Sequence, residues 1–298
     1  MRNILFTTDF SDCANNALKF ALPLADYLRC KIYFMHSNQL PAVEMQMADI
    51  LIADVMDQKN QQAIAALNQL KFRTSEYAFQ HNVDIPVDHI LSIGFPAEEI
   101  MKAAEQLKPE LVVAGTTGEG GFIKFLFGST TTHLIKSLNY PLLLVPADAN
   151  NTSIKNIAYA AGLESDDVTI IEKLLTMCAQ LQARLFVFHV DKVLKESDYD
   201  LMADINKKFP EAIKKNSLTL EVLQGKSIID GIDHYLNDRN IDMLAMTHHR
   251  KPFLDLFDRK IPQKMAKHST IPLLIYQEVV KISNNIFLQW LLLLYHKV

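Results

Sequence analysis

The chain contains the stretch Gly115-Thr-Thr-Gly118-Glu-Gly120-Gly121-Phe-Ile-Lys-Phe-Leu-Phe-Gly128-Ser129, directly after the apolar run Glu110-Leu-Val-Val-Ala114. Five of the nine glycines of the chain fall within these residues. Glycines placed after a strand let backbone N–H groups approach a phosphate closely, and a helix that begins at Ser129 would direct its positive end to the same point. The stretch therefore predicts a phosphate-binding loop between a strand and a helix.

The spacing of these glycines, Gly-x2-Gly-x9-Gly-Ser, differs from the two common phosphate loops, Gly-x4-Gly-Lys-Ser/Thr and Gly-x-Gly-x-x-Gly. We interpret Gly115 and Gly118 as residues that let the chain leave the strand and pass close to a ribose or an α-phosphate, with Gly128 and Ser129 closing the far side. Lys124 is interpreted as a solvated surface lysine. The alternative is a flexible surface loop with one helix cap, although such a loop needs no Gly-Ser pair at a helix start.

The composition indicates a soluble, globular chain with two domains. Its 298 residues, 49% hydrophobic content and net charge of −4 allow ample cores. Because the chain has neither a basic balance nor a stripe rich in lysine and arginine, we expect no binding to nucleic acid. The three cysteines, Cys13, Cys30 and Cys178, form no Cys-x-x-Cys pair and cannot all be paired within one chain, which favours a reducing cytoplasm.

Motifs for metal binding and for covalent catalysis are weak. His248 and His249 are adjacent and point in different directions, so we interpret them as part of a polar loop and predict no metal site. Cys13 begins a predicted helix, but no histidine is placed by the sequence to activate it, so we expect a buried, inert thiol. The sequence therefore predicts no catalytic residues.

The two ends of the chain carry short apolar runs. The N-terminal run before Asp9 is too short for a signal peptide and is interpreted as a first strand. Near the other end, the run from Ile286 to Tyr295 is strongly apolar but shorter than the about twenty residues that a membrane-spanning helix needs. We expect this tail to pack on the body of the protein or on a second copy. A weak contact with a membrane surface and a non-native extension are the alternatives.

The two halves of the chain repeat each other. Five pairs of segments align: 2–11 with 155–164, 31–37 with 184–190, 94–100 with 225–231, 111–114 with 243–246, and 140–146 with 271–277. Two tandem copies are therefore predicted, joined by a short polar linker at Ala147–Ser153. The predicted domains are residues 1–147 and 154–277, followed by the apolar tail 278–298.

Short apolar strands alternate with helical stretches in each copy. In the first copy we predict strands at 3–8, 31–37, 87–93, 111–115 and 141–145, and helices at 13–29, 44–80, 97–107 and 129–137. This alternation predicts an α/β fold class with two tandem doubly wound parallel-sheet domains. Ligands of such sheets bind at the carboxyl ends of the strands, where the chain order reverses. Asp9, Ser37 and Gly115 are therefore expected to face one crevice.

Together, these features resemble a tandem universal stress protein over about residues 1–277. The features that carry the resemblance are the glycine element, the strand end Thr8-Asp9-Phe-Ser11, the strand end His36-Ser37 and the closing strand Pro141-Leu-Leu-Leu-Val-Pro146. The resemblance implies a Rossmann-like fold of the adenine nucleotide alpha hydrolase type. Because the ATP-binding members of the family carry this glycine element, it also implies ATP as the ligand of the first copy, with or without Mg²⁺.

The resemblance also implies roles for individual residues. Asp9 would contact the adenosine, Thr7 would lie beside the adenine, and the backbone of Ser37 would recognise the base, although the family usually has an apolar residue there. Ala114 and Gly115 would lie by the ribose. The residues implied around the phosphates are Gly118, Gly128, Ser129 and Thr130. From the residues alone, the Asp9 carboxylate could accept hydrogen bonds from ribose hydroxyls or an exocyclic amine, or could help to cap the next helix.

The second copy departs from the family pattern. Gly162 stands where the first copy has its acidic residue, and Arg259 and Lys260 take the places of Gly128 and Ser129. Side chains at positions of close backbone approach should block a phosphate. We therefore expect no nucleotide in the same mode here, and a structural or regulatory role instead.

The resemblance finally implies how the copies assemble. Domains of the family pair through their last strands, so residues 141–145 and 272–276 would meet as an intramolecular pseudo-dimer, and association into a homodimer stays open. The leading hypothesis is a cytoplasmic, ATP-binding stress-response regulator rather than an enzyme, in which ATP stabilises one arrangement of the two domains. One alternative is a slow ATP hydrolase or phosphotransferase, for which only Glu119 offers a carboxylate near the loop. The other is an assembly scaffold without nucleotide.

Overall fold

The first half of the chain alternates strands and helices as predicted. The computed structural model describes residues 2–39, 49–116, 129–164, 166–248 and 261–278. In the first half its elements are β1 (Arg2–Thr7), α1 (Asp12–Leu28), β2 (Cys30–Asn38), α2 (Asp49–His81), β3 (Val87–Ile93), α3 (Pro96–Leu107), β4 (Leu111–Gly115), α4 (Ser129–Ser137) and β5 (Leu142–Val145). The predicted alternation is confirmed, and residues 44–48 of the predicted second helix lie outside the described residues.

The second half repeats this order with one extra short helix. Its elements are β6 (Asn156–Ala160), α5 (Asp167–Leu181), β7 (Arg184–Asp191), α6 (Glu196–Lys208), α7 (Pro210–Lys214), β8 (Leu218–Gln224), α8 (Ile228–Asp238), β9 (Met243–His248), α9 (Ile261–His268) and β10 (Leu273–Gln277). The long second helix of the first half is thus replaced by the pair α6 and α7. The apolar tail beyond residue 278 lies outside the described residues.

All strands of the described residues join one ten-stranded sheet. Its order is β3-β2-β1-β4-β5-β10-β9-β6-β7-β8. Within each half the strands are parallel, and β5 pairs with β10 in antiparallel register, with Leu143 opposite Leu274. The expected meeting of the two closing strands is therefore observed. Because the central pair is antiparallel, the carboxyl ends of the strands in the two halves lie at opposite edges of the sheet.

Helices cover both faces of the sheet and bury two apolar layers. Alternate residues of β1 enter different layers, since Ile4 and Phe6 pack in one layer and Leu5 in the other. Phe6 meets Phe34 edge to face, with ring centroids 5.6 Å apart. Parallel strands that are covered on both faces are expected to be apolar throughout, and β5 is a run of four fully buried residues. This burial on both sides explains why strand sequences show no polar alternation.

The three cysteines belong to these layers rather than to a reactive site. All are buried free thiols. The Cys13 thiol donates to the carbonyl oxygen of Val145 at 3.6 Å, which agrees with the expected buried thiol. Burial raises the pKa of Cys178 to about 12, and burial together with the Glu110 carboxylate raises the pKa of Cys30 to about 11.

The raised pKa of Cys178 predicts a loss of stability in alkali. In the unfolded chain the thiol ionises near its ordinary pKa of 9.0, whereas folding raises that pKa to about 12. A group whose pKa is raised by folding stabilises the fold fully below the unfolded pKa, and this contribution is lost as the pH rises to the folded pKa. Between these values the free energy of unfolding should fall by up to about 1.4 kcal/mol per pH unit through this thiol. Denaturant unfolding across this window should give a flatter profile for Cys178→Ala, and equal slopes would contradict the prediction.

Candidate functional site

A cavity of about 250 Å³ opens at the carboxyl ends of β1, β2 and β4. From β1 the chain crosses to β2 and β3 on one side, and it later returns to β4 and β5 on the other side. The cavity therefore lies where the strand order reverses, which is the usual ligand position of a doubly wound sheet. Its lining residues are Thr7, Thr8, Asp9, Ala14, Met35, His36, Ser37, Pro96, Ile100, Ala114, Gly115, Thr130, Thr131 and Leu134.

The cavity brings together most of the described residues that the sequence singled out. Ser129 begins α4 but is exposed and outside the lining. Gly118 and Gly128 lie outside the described residues. The predicted residues that line the cavity are Thr7, Asp9, Ser37, Ala114, Gly115 and Thr130. The expectation that Asp9, Ser37 and Gly115 would face one crevice is therefore confirmed.

A tight turn after β1 positions the Asp9 carboxylate at the cavity. Phe10 has a positive φ of 66°. The backbone N–H of Phe10 donates to Thr8 Oγ1 at 2.9 Å, and the backbone N–H of Ser11 donates to Asp9 Oδ1 at 3.1 Å. Ser11 itself caps α1, since its hydroxyl accepts from the Ala14 N–H at 3.2 Å. Asp9 is therefore not the helix cap, and its carboxylate is oriented by the turn.

The end of β2 contributes His36 and Ser37. The Ser37 hydroxyl donates to the Gly94 carbonyl oxygen at 2.9 Å, so this side chain links β2 to the start of α3. His36 Nδ1 lies 2.8 Å from the Thr8 carbonyl oxygen, and its ring packs against Phe10 with centroids 4.5 Å apart. His36 belongs to the strand end that carries the family resemblance, but the sequence does not predict it as a site residue. Its counterpart in the repeat, His189, is also a histidine. A histidine at the same position of both copies is the sequence signal that could have identified His36.

The cavity walls also contain apolar residues that the sequence analysis did not assign to a site. Met35, Ile100 and Leu134 line the cavity and are at least nine-tenths buried. They come from β2, α3 and α4, and in the sequence they cannot be told from ordinary core residues. Thr131 from the first turn of α4 lies beside them and is also buried. An apolar wall with a few polar groups is typical of a small-molecule site.

Gly115 is needed for packing within the protein. A Cβ atom added at this position would lie 2.8 Å from Cys13 Sγ, 3.1 Å from the Cys13 carbonyl carbon and 3.2 Å from the Ala14 backbone nitrogen. Real Cβ atoms almost never approach that closely. The glycine spacing predicts a close approach to a ligand at Gly115, whereas the close approach observed here is that of β4 to the first turn of α1.

The packing of Gly115 predicts that Gly115→Ala destabilises the fold by about 1–3 kcal/mol, as overpacking does. Two of the three close atoms belong to the backbone of α1, so the helix itself must shift. Chemical denaturation followed by circular dichroism would measure the loss. Adding Cys13→Ala removes the sulfur contact only and should recover part of the loss. An unchanged unfolding midpoint in Gly115→Ala would contradict this packing.

Two positions that line the cavity of the first half carry larger side chains in the second half. Ala114 aligns with Met246, and Met35 aligns with Phe188. Met246 and Phe188 are both fully buried, and Phe188 stacks on Tyr235 with ring centroids 4.1 Å apart. The second half thus has bulkier buried side chains at these two positions.

A glycine of the second half packs tightly against the neighbouring strand. Gly231 of α8 aligns with Ile100, and a Cβ added at Gly231 would lie 2.4 Å from Val190 Cγ1. Arg259 and Lys260, which the sequence predicts to block a phosphate, lie outside the described residues.

In the second half, a buried polar network joins β6 and β9 to the start of α5. Tyr159 donates its hydroxyl hydrogen bond to the Asp167 carboxylate, and Thr247 Oγ1 lies 2.8 Å from the same hydroxyl. The backbone N–H of Glu164 donates to Asp167 Oδ2 at 2.9 Å. Burial, followed by the Asp167 charge, raises the pKa of Tyr159 well above its ordinary value. These groups hydrogen-bond to one another, and the network holds the start of α5 against β6.

Three side chains of types that can ligate a metal lie close together at the end of β7 in the second half. Ligand atoms of His189, Asp191 and Asp198 all lie within 4.8 Å of one another. The sequence predicts no metal site, and only the fold brings Asp198 to the strand end beside His189.

No described helix combines the length and the apolar character that crossing a bilayer requires.

In the described residues, the fold is a doubly wound α/β sheet with a cavity at the switch point of its first half. Residues 1–146 match the universal stress protein family. Residues 1–146 therefore form a universal stress protein family domain, and the resemblance that the glycine element carries is confirmed.

Individual relatives agree with this assignment. Universal stress protein MJ0531 of Methanocaldococcus jannaschii is 29% identical over 147 residues, covering 48% of this chain and 81% of the relative. Universal stress protein MJ0577 of the same organism is 29% identical over 153 residues, covering 48% of this chain and 94% of the relative. A universal stress protein of Archaeoglobus fulgidus DSM 4304 has a TM-score of 0.70 at 16% identity, with 93% of this chain and 98% of that chain covered. The last comparison shows that the tandem fold extends over both halves.

Proposed function

We propose that the first half binds an adenine nucleotide, with ATP as the ligand, and that the protein acts as a cytoplasmic stress-response regulator rather than as an enzyme. The observation that carries the proposal is the convergence of six family-implied residues on one cavity at the switch point. They lie within the half that matches the family. The proposed domains are residues 1–147 for binding and 154–277 for a structural or regulatory role, followed by the tail 278–298.

The cavity suits the nucleoside part of the ligand. Its volume of about 250 Å³ lies just below the range of roughly 300–1,000 Å³ for pockets that hold drug-sized ligands. In the proposed pose, the apolar wall of Met35, Ile100 and Leu134 packs against the base. The Asp9 carboxylate accepts hydrogen bonds from the ribose hydroxyls.

The phosphates would extend towards the start of α4. Thr130 and Thr131 lie in its first turn and line the cavity. The unpaired N–H groups and the positive end of a helix favour an anion at this point. Gly118, Gly128 and Ser129 would complete the phosphate contacts, with or without Mg²⁺, as the family resemblance implies.

The second half would bind no nucleotide in this mode, because it has the larger buried side chains Met246 and Phe188 at the positions of Ala114 and Met35. Pairing of β5 with β10 supports an intramolecular pseudo-dimer as the functional unit. ATP would regulate it by favouring one arrangement of the halves, which requires different affinities for the two arrangements.

The test of binding is calorimetric titration of ATP into the wild type, Asp9→Asn and Asp12→Asn, together with mass spectrometry of nucleotide released from freshly purified, denatured protein. We expect one nucleotide per chain and at least about ten-fold weaker binding by Asp9→Asn, because hydrogen bonds to a charged group contribute about 1.5–3 kcal/mol. Asparagine keeps the acceptor for the Ser11 N–H. Asp12 is exposed and outside the lining, so Asp12→Asn is the matched loss of charge and should bind normally.

The binding site and the regulatory role can be refuted separately. A wild type that releases no nucleotide and gives no heat with ATP would refute the binding site. Binding that leaves hydrogen exchange of β5 and β10 unchanged, and also leaves small-angle scattering unchanged, would refute the regulatory role alone.

A further inference from the structure

The carboxyl end of β7 and the first turn of α6 bring together an imidazole and two carboxylates. One ligand atom each from His189, Asp191 and Asp198 lies within 4.8 Å of the others. His189 is 6% exposed and Asp198 is 8% exposed, whereas Asp191 is half-buried. This group lies at the opposite edge of the sheet from the nucleotide cavity, because the central strand pair is antiparallel.

A backbone contact orients the imidazole. His189 Nδ1 lies 2.9 Å from the Ala161 carbonyl oxygen. A carbonyl oxygen only accepts hydrogen bonds, so Nδ1 carries the proton in this contact and Nε2 is the nitrogen that would bind a cation. Histidines that bind metals usually donate their other N–H to a backbone carbonyl or carboxylate in this way.

Backbone groups also orient both carboxylates. Asp198 Oδ2 accepts from the Lys195 N–H at 2.8 Å, and Asp191 Oδ1 accepts from the Lys192 N–H at 2.6 Å. The ion pairs observed among the described residues include neither carboxylate. Two carboxylates held close together in a largely buried position need a compensating positive charge.

The repeat shows that this arrangement is specific to the second half. His36 aligns with His189 and makes the same contact, with Nδ1 2.8 Å from the Thr8 carbonyl oxygen. Its Nε2 lies 3.1 Å from the amide oxygen of Asn38, which aligns with Asp191. Asn38 is in turn hydrogen-bonded to Asn60. The first half thus has a neutral amide where the second half has a carboxylate.

We propose that His189, Asp191 and Asp198 bind a divalent transition-metal cation, Zn²⁺ or Mn²⁺, between β7 and α6. One nitrogen and two oxygen ligands suit these ions, and the charge of the cation balances the two carboxylates. Three protein ligands leave a coordination position for water or for a further ligand. Ligands bound to Zn²⁺ at about 2.0–2.2 Å lie closer together than the observed 4.8 Å limit, so metal binding draws the side chains inward. The ion would join the strand end to the helix and stabilise the second half.

The proposal is tested by titrating metal ions into the full chain after a chelator has removed bound metal. Zn²⁺ uptake is measured by calorimetry, and Co²⁺ serves as a probe by visible absorption. We expect the wild type to bind one ion per chain at this site, and Asp191→Asn and Asp198→Asn to bind at least about ten-fold more weakly. Asparagine keeps an acceptor for the backbone N–H groups, and Asp191→Asn recreates the His–Asn pair of the first half. Asp204→Asn, an exposed change on the same helix, is the matched control.

Thermal unfolding provides a second readout, because an ion that binds only the folded state raises Tm. Zn²⁺ should raise the Tm of the wild type and of Asp204→Asn, but not the Tm of Asp191→Asn. The proposal is overturned if Asp191→Asn takes up Zn²⁺ as the wild type does, or if its Tm rises equally. It is also overturned if nitrogen NMR shows that His189 stays a charged imidazolium in excess Zn²⁺, since that form cannot bind a metal.

Discussion

The Ala114→Met variant is expected to bind ATP at least about 100-fold more weakly than the wild type, a loss of about 2.7 kcal/mol. Ala114 lines the cavity and is 5% exposed. The aligned residue of the second half, Met246, is fully buried in the core. Because the longer side chain has empty space to enter in the first half, it should occupy the binding volume while the fold persists. Calorimetric titration of ATP measures the loss.

A matched control places a methionine beside the cavity instead of inside it. Leu144 lies opposite Ala114 in the neighbouring strand and packs in the same apolar layer. Leu144→Met conserves volume, so it should cost less than about 1.5 kcal/mol of stability and leave ATP binding unchanged. A folded Ala114→Met protein with the affinity of the wild type would show that ATP does not enter this cavity.

The Asp167→Ala variant is expected to lower the free energy of unfolding by about 3 kcal/mol, because it removes charge-assisted hydrogen bonds and leaves buried partners unpaired. Asp167 is fully buried and accepts from the Tyr159 hydroxyl and from the Glu164 backbone N–H. After the substitution, Thr247 is the hydrogen-bond partner that remains to Tyr159 in the network. Urea unfolding followed by circular dichroism would measure the change.

The neighbouring carboxylate provides the control for this network. The Asp166 side chain makes no capping hydrogen bond to α5, and its Oδ2 atom is buried without a hydrogen-bond partner. Asp166→Ala should therefore cost much less than Asp167→Ala. Tyr159→Phe should destabilise the fold, and its effect should not add fully to that of Asp167→Ala, since the two residues share one hydrogen bond. Full additivity, or equal losses at positions 166 and 167, would contradict the network.

Local patterns in the sequence were sufficient to predict the elements of the first half. The runs at 87–93 and 111–115 became strands with those bounds, and the helix predicted at 129–137 ends at Ser137 as expected. Apolar period and turn residues determine such elements locally. The alignment of 140–146 with 271–277, combined with the family resemblance, also anticipated the central pairing of β5 and β10.

The candidate site was only partly predictable. Asp9, Ser37 and Gly115 follow strands, so their convergence follows from the topology of a parallel sheet. The apolar wall residues Ile100 and Leu134 come from helices and carry no signal that separates a cavity wall from a core. Whether a gap remains between such residues depends on the sizes of all facing side chains, which belong to different parts of the chain.

The sequence by itself determined the tandem α/β repeat, the order of strands and helices, and the family of the first half, because these depend on local periodicity and on motifs. Only the tertiary structure decided that Gly115 accommodates the start of α1 and that Met246 is buried in the core of the second half. It alone brought Asp198 to the end of β7 beside His189. These features depend on distances between residues far apart in the chain, and such distances are set by close packing of the whole core.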